Sequence, residues 1–309
     1  MNIIKYRNIF FTFSLLMIIP GVVALVIWGL RPGIDFSGGT LWEIKFNEKK
    51  DISSQQVQQF LTEKGAEVSS TAPTSQDTFL IRMKTTDEQK ITDLKANLSS
   101  TFGQTEDVRL ETVGPIISKE LTRKALTAVV IAILGIVLYI TWAFRQVPKP
   151  ASSLAFGICT IVALVHDVIV VVGIFAILGH FFKVEVDSLF ITALLTVIGF
   201  SVHDTIVVFD RIRENLKTHS GFSFEEIVNH SILQTFARSL NTSLTVVFVL
   251  LALLLFGGES IKVFVLALLI GIISGTYSSI FNASPLLVVW QNLKLKGIKL
   301  KFKRNIQFL

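Results

Sequence analysis

Long apolar runs dominate the chain and are separated by short polar connections, except between the first and second runs, where residues 36–120 have the mixed character of a soluble domain. Six runs, at 10–30, 125–144, 152–178, 188–208, 240–257 and 262–290, reach the length that a helix needs to cross the hydrocarbon layer, roughly 17–25 residues. A soluble helical bundle would show polar stripes at helical period, and most of these runs have none. The pattern predicts an all-α six-helix transmembrane bundle. The apolar part of the first run, Ile9 to Leu30, exceeds the usual signal-peptide core of about 7–15 residues. Arg31-Pro32-Gly33 follows it in place of a small-residue cleavage site, so a retained anchor is expected.

Between the first two runs the period changes. Leu41 to Phe46 alternates like a strand with one buried face. Ser53 to Lys64 reads as a helix capped by Ser53 or Ser54, with Val57, Phe60 and Leu61 as its apolar stripe. A short strand over Glu67–Ser70, a turn around Pro73–Asp77 and a strand over Thr78–Met83 follow. Asp87 to Leu98 reads as a second helix, striped by Ile91, Leu94 and Leu98, and Val108 to Val113 as a closing strand. The order is βαββαβ, which predicts an α+β ferredoxin-like domain inserted into the bundle. The insertion holds no His and no Cys and its carboxylates are scattered, so docking is expected of it rather than catalysis.

Composition supports the membrane assignment. Hydrophobic residues make up 51% and charged residues 17%, against about 25% charged in soluble domains, and mean hydropathy is +0.61. Charge then sets an orientation, because Lys and Arg gather on the cytoplasmic side. Lys5 and Arg7 precede the first run, Arg145 and Lys149 follow the second, and Arg211, Arg213, Lys217 and Arg238 lie between the fourth and fifth. Lys294, Lys296, Lys299, Lys301, Lys303 and Arg304 crowd the tail, whereas the loops around 180–187 and 257–261 carry little positive charge. Both termini are thus expected in the cytoplasm and the insertion outside it. The net charge of +6 is mainly this bias. The basic tail fits attraction to anionic lipid, and no nucleic-acid partner is expected. The predicted organisation is residues 1–35 (first helix), 36–120 (extracytoplasmic domain), 121–291 (helices two to six) and 292–309 (cytoplasmic tail).

Candidate chemistry lies within the apolar runs. A carboxylate near the middle of a span costs roughly 2.5–3.5 kcal/mol and normally faces the bundle interior on a proton or ion path. The third and fourth runs carry two similar segments, VHDVIVV with His166 and Asp167, and VHDTIVV with His203 and Asp204. Since the runs are antiparallel, the two carboxylates are expected at overlapping depths. Ser201 and Thr205 flank Asp204 on its own helix. On the fifth run Gln234, Arg238, Asn241, Thr242 and Thr245 recur at three- and four-residue steps, making one polar stripe. On the sixth, Gly271, Gly275, Ser278 and Asn282 make a small-residue face suited to close helix approach. Together these residues predict a polar seam, with a missing wall that the small-residue face and the repeated VHD segments assign to another subunit.

Other chemistries find no support. There is no GxxxxGK[ST] phosphate loop, since Gly38-Gly39-Thr40 lacks the spacing and the lysine. There is no HExxH helix, and neighbouring residues on a helix point about 100° apart, so His166/Asp167 and His203/Asp204 do not converge on one ion. No metal and no cofactor are expected. Cys159, the single cysteine, lies in an apolar run and makes no internal disulfide.

Four segments carry a resemblance that extends over nearly the whole chain: GIDFSGGT at 33–40, VGPIISKEL at 113–121, RSLNTS at 238–243 and, the most specific, GFSVHDTIVVFDRIRE at 199–214. With these the chain resembles the SecDF family of protein-export factors, related to the resistance-nodulation-division transporters. The resemblance implies a non-enzymatic subunit of the bacterial inner (plasma) membrane. It would act with SecD beside the SecYEG channel, using the proton motive force to draw unfolded preprotein outward. It also implies Asp204 as the carboxylate of the proton path and Arg238 as its basic support, with His203, Asp167, His166, Ser201, Asn241 and Thr242 as supporting positions. One departure stands out. Many members of the family have Asn before this Asp, and here His203 stands there, either joining the relay or donating a hydrogen bond as Asn would. A small-molecule exporter of the same superfamily and a non-transporting scaffold of a channel are the alternatives.

Overall fold

The computed structural model describes residues 2–47, 52–75, 77–219 and 221–294, so most of the basic tail expected at 292–309 lies outside the described residues. The chain divides into two compact units, Pro32–Leu126 and the helices on either side of it.

Among the described residues of the helical unit, six helices are long and apolar enough to cross a membrane. They are α1 (Arg7–Ile27, after a 3₁₀ turn at Ile4–Tyr6), α5 (Pro115–Ala143), α6 (Ser153–Phe182), α7 (Ser188–Thr218), α8 (Phe224–Phe256) and a sixth that begins as α9 (Glu259–Ser278). The sixth passes through a π turn at Ser279–Ala283 and continues as α-helix to Lys294. All six expected spans are present, but α5 starts earlier, α7 ends later and α8 starts earlier than the apolar runs indicate. The reason is that a run marks only the stretch that is apolar all round. Beyond it these helices continue amphipathically, with Phe209, Ile212, Ile227, Val228 and Ile232 buried on one side. Side-chain caps set three of the starts: Ser152 accepts from Ala155 N, Asp187 from Phe190 N and Ser223 from Glu226 N.

Helix contacts in this unit depend on small residues. A Cβ added at Gly173 of α6 would lie 2.4 Å from the Cα of Gly21 in α1, so these two backbones touch. A Cβ at Gly271 of α9 would lie 2.2 Å from Val197 of α7, and one at Gly275 would lie 3.0 Å from Ser201 Cβ. The small-residue face of the sixth helix is therefore filled by α7 of the same chain. This corrects the expectation that it serves a second subunit.

The other unit follows a one-turn helix, α2 (Ile34–Ser37), with β1 (Gly39–Phe46), α3 (Ser54–Glu63), β2 (Val68–Ser75), β3 (Thr78–Met83), α4 (Glu88–Phe102) and β4 (Thr105–Val113). The strands form one antiparallel sheet in the order β2-β3-β1-β4. Trp42, Ile44, Phe46, Phe79, Ile81 and Met83 are buried with Val57, Leu61, Ile91, Leu94 and Leu98 of the two helices. The alternation in β1 and both helical stripes therefore meet in one core. Strand β2 is longer than expected, because its ladder with β3 runs on through Pro73, paired with Phe79, to Ser75. Pro73 is tolerated there since β2 is an edge strand and needs no outward N–H. The GIDFSGGT segment also has a structural explanation. Gly38 and Gly39 adopt φ of 72° and 128°, and a Cβ at Gly39 would lie 2.9 Å from the Met83 carbonyl.

Ser53 is the cap of α3. Its hydroxyl accepts from Gln56 N (3.3 Å) and Gln56 Oε1 accepts from Ser53 N (3.0 Å), a reciprocal capping box. Ser53→Ala is expected to cost about 1 kcal/mol of local stability, read as faster hydrogen exchange in the first turn of α3 with the helical unit unchanged.

Candidate functional site

A cluster of hydrogen-bonded polar side chains lies between α6, α7 and α9, and it is centred on Asp167 rather than on Asp204. The Asp167 side chain is 1% exposed and accepts three hydrogen bonds from two other helices. Ser201 Oγ of α7 donates to Oδ2 at 2.6 Å, Ser278 Oγ of α9 to Oδ2 at 2.7 Å and Ser274 Oγ of α9 to Oδ1 at 2.8 Å. On its own helix His166 Nδ1 lies 3.0 Å from Oδ1. His166 is itself buried, with its ring 6.2 Å from that of Tyr277. Ser201, a sequence candidate, thus bonds directly to Asp167, which establishes that the middle of α6 and the middle of α7 lie at one depth.

Asp204 lies one helical turn beyond Ser201, since residues three apart share a face. It is 4% exposed, and its Oδ2 is buried with no hydrogen-bond partner among the described residues. Ser239 of α8 lies beside the carboxylate. The basic side chains near Asp204 are His203, its neighbour in sequence, and Arg238 of α8. The two carboxylates therefore differ in kind: Asp167 is fully bonded, and Asp204 is open toward α8.

The remaining candidates divide by exposure. His203, Arg238, Asn241 and Thr242 are all exposed in this chain, as are Gln234 and Thr245. The hydroxyl of Thr242 only donates back to the Arg238 carbonyl of its own helix (2.9 Å). Gln234 of the α8 stripe accepts from Arg211 Nε (2.6 Å) and Asn215 Nδ2 (2.9 Å) of α7, while Arg238, Asn241, Thr242 and Thr245 lie exposed. Bare polar groups within a span are costly in hydrocarbon.

Several seam residues were not singled out from sequence. Ser279 donates to the Ser201 carbonyl (3.2 Å) and shares a hydrogen bond with Thr205 Oγ1 (2.9 Å). Ser243 of α8 pairs with Thr276 of α9 at 2.6 Å, and Ser14 of α1 donates to Asn282 Oδ1 at 2.9 Å. Isolated serines in apolar runs give no strong sequence signal, because a lone hydroxyl can bond back to its own helix, as Thr160 does to the Phe156 carbonyl. Among the described residues no group of three His, Cys, Asp or Glu side chains is placed to hold a metal.

Comparison with known proteins follows this geometry. Residues 93–293 match the family model described as protein export membrane protein SecD/SecF, C-terminal. The chain is 52% identical over 303 residues to a protein translocase subunit SecF of Thermobaculum terrenum, with 94% of each chain covered. It is 35% identical to the protein translocase subunit SecDF of Bacillus subtilis over 94% of its own length and 38% of that protein's. A crystal structure of SecDF from Thermus thermophilus, described as a translocon-associated membrane protein, superposes with a TM-score of 0.80 at 34% identity, covering 94% of this chain and 39% of that one. The chain thus spans most of the separate subunit and about two fifths of the fused proteins.

Proposed function

The chain belongs to the SecD/SecF family of protein-export membrane proteins and is a protein translocase subunit, and from that premise we propose that it couples proton movement at Asp204 to the export of unfolded preprotein. The observation that carries this is the state of Asp204: a buried carboxylate within a span, with one oxygen unbonded and a basic side chain, Arg238, acting on it from the next helix. A carboxylate held in that way can exchange a proton without first breaking a hydrogen-bond network, which Asp167 cannot do.

In this reading SecD covers the outward face of α7 and α8. His203, Arg238, Asn241, Thr242 and Thr245 lie exposed there, and burying them against another polar helix face removes the cost of presenting them to lipid. The SecYEG channel is the site of action, and both termini lie in the cytoplasm of a bacterial plasma membrane. The unit Pro32–Leu126 is read as a ferredoxin-like domain on the outer side. Its βαββαβ order and its β2-β3-β1-β4 sheet support that reading. Protonation of Asp204 removes its attraction to Arg238, the helices reseat, and the domain changes its hold on the emerging polypeptide.

The test is proton flux into vesicles that hold this chain with SecD and SecYEG. Flux that rises when preprotein is in transit is the expected result. Flux gated by a small apolar cation points to a small-molecule exporter, and absence of any flux points to a scaffold; either would overturn the proposal.

A further inference from the structure

We propose that Asp167 is a positioning residue for Asp204: a carboxylate caged by three serine hydroxyls and faced by His166 that holds α6, α7 and α9 as one block and fixes the depth and rotation of the proton-carrying side chain. The inference rests on the reading of Asp204 given above and assigns Asp167 a different part from it.

A carboxylate offers about four lone-pair sites, and at Asp167 each oxygen is engaged twice. Oδ2 takes Ser201 and Ser278, and Oδ1 takes Ser274 and faces His166 Nδ1. A group so engaged accepts a proton only by losing one of these bonds. It is also closed off from solvent, at 1% exposure. Its service is mechanical and electrostatic: it satisfies hydroxyls from two other helices and places one negative charge at a fixed point.

The cage connects to Asp204 through Ser201. While the Ser201 hydroxyl is held by Asp167, its carbonyl lies within hydrogen-bond reach of Thr205 Oγ1 (3.1 Å) and of Ser279 Oγ (3.2 Å), whose single proton it shares with the Gly275 carbonyl (2.8 Å). Thr205 and Ser279 also bond each other at 2.9 Å. The turn 201–205 is thus tied to α6 by a side chain and to α9 by both backbone and side chain, and Asp204 is left on the untied side, beside Ser239. Consecutive Ser278 and Ser279 both point inward, one to Asp167 and one to Ser201, at the place where the sixth helix becomes π. Such π turns cluster where a functional contact needs a residue out of α register. The titratable and charged groups around this block are His166 on α6, Tyr277 on α9, His203 on α7 and Arg238 on α8.

The experiment compares wild type, Asp167→Asn and Ser274→Ala in proteoliposomes holding the full complex with SecD and SecYEG, recording preprotein export across a pH series. Asp167→Asn keeps the size and removes the charge that holds Ser201, one helical turn before Asp204. Its export is expected to become half-maximal at roughly tenfold higher proton concentration, with the maximal rate retained. Ser274→Ala keeps the charge and removes one of its donors, and should shift the profile less, again without loss of maximal rate. Loss of export at every pH in an assembled Asp167→Asn complex would show Asp167 to be a proton carrier, and an unmoved profile with a lowered melting temperature would show the cage to be packing alone. Either overturns the proposal. If Asp167→Asn does not assemble, an unmoved profile in Ser274→Ala overturns it by itself. A wild-type profile without pH dependence removes the Asp204 reading, and this inference with it.

Discussion

Replacing Asp204 with asparagine is expected to abolish proton-driven export while leaving expression and complex assembly at wild-type levels. Asparagine has the size of aspartate and can still meet Ser239, so packing around the site, where Asp204 is 4% exposed, is preserved. What it cannot do is gain and lose a proton. One elementary charge crossing a potential of about 100 mV releases about 2.3 kcal/mol, enough to bias a two-state movement by roughly fiftyfold. Without a titrating group at this point that bias vanishes, and export should fall to the level of vesicles lacking the complex. Removing a charge from an apolar span is favourable for insertion, so the variant should melt no lower than wild type. Wild-type export by a correctly assembled Asp204→Asn complex would end the proton-carrier reading. The measurement is preprotein protection from protease in energised vesicles, with the complex quantified alongside.

The second large effect concerns structure rather than proton movement. Gly173→Leu is expected to leave no properly packed helical unit, and Gly173→Ala to destabilise it by about 2–3 kcal/mol, the upper end for overpacking. The atoms that an added Cβ would meet are all backbone: Gly21 Cα at 2.4 Å, Gly21 C at 2.9 Å and Gly21 O at 3.2 Å. Backbone cannot swing aside as a side-chain tip can, so α1 and α6 must separate along their contact, and α6 carries Asp167. Gly135→Ala is the control, since no atom lies within 4 Å of its added Cβ, and alanine is the better helix former. Melting of the detergent-solubilised chain should place Gly135→Ala at or above wild type and Gly173→Ala well below it. Equal melting of the two glycine variants would mean that the backbones of α1 and α6 do not touch in solution.

Gly21 and Gly173 also mark the limit of what could be read from residues alone. Gly271 and Gly275 were recognisable as a close-approach face because both lie on one helix at the right spacing. Gly21 and Gly173 lie on different helices, and their meaning exists only once α1 and α6 are paired. The same limit misassigned the partner of the Gly271 face. A small-residue stripe states that a helix comes near, and which helix it is depends on the whole arrangement; here it is α7, through Val197 and Ser201.

Asp167 and Asp204 illustrate the point for chemistry. Both sit in VHD segments in apolar surroundings, so local reading gives them nearly equal standing and the family resemblance alone favours Asp204. Their difference comes from neighbours distant in sequence. Ser274 and Ser278 reach Asp167 from more than a hundred positions away, while Asp204 faces Ser239 and an otherwise open side of α8.

The sequence by itself determined the number and position of the spans, the insertion between the first two, the strand and helix order of that insertion, and the two buried carboxylates. These follow from quantities that are sums over local residues: transfer free energy along a run, the period of apolar positions, and the cost of ionisable groups in hydrocarbon. Only the tertiary structure decided which carboxylate is caged and which is open, that the small-residue face is filled from within the chain, and that Arg238, Asn241, Thr242 and Thr245 of the α8 stripe lie exposed. Those outcomes depend on how each helix is rotated and which helix it meets, and rotation is fixed by contacts between residues far apart in the chain, which no local sum contains.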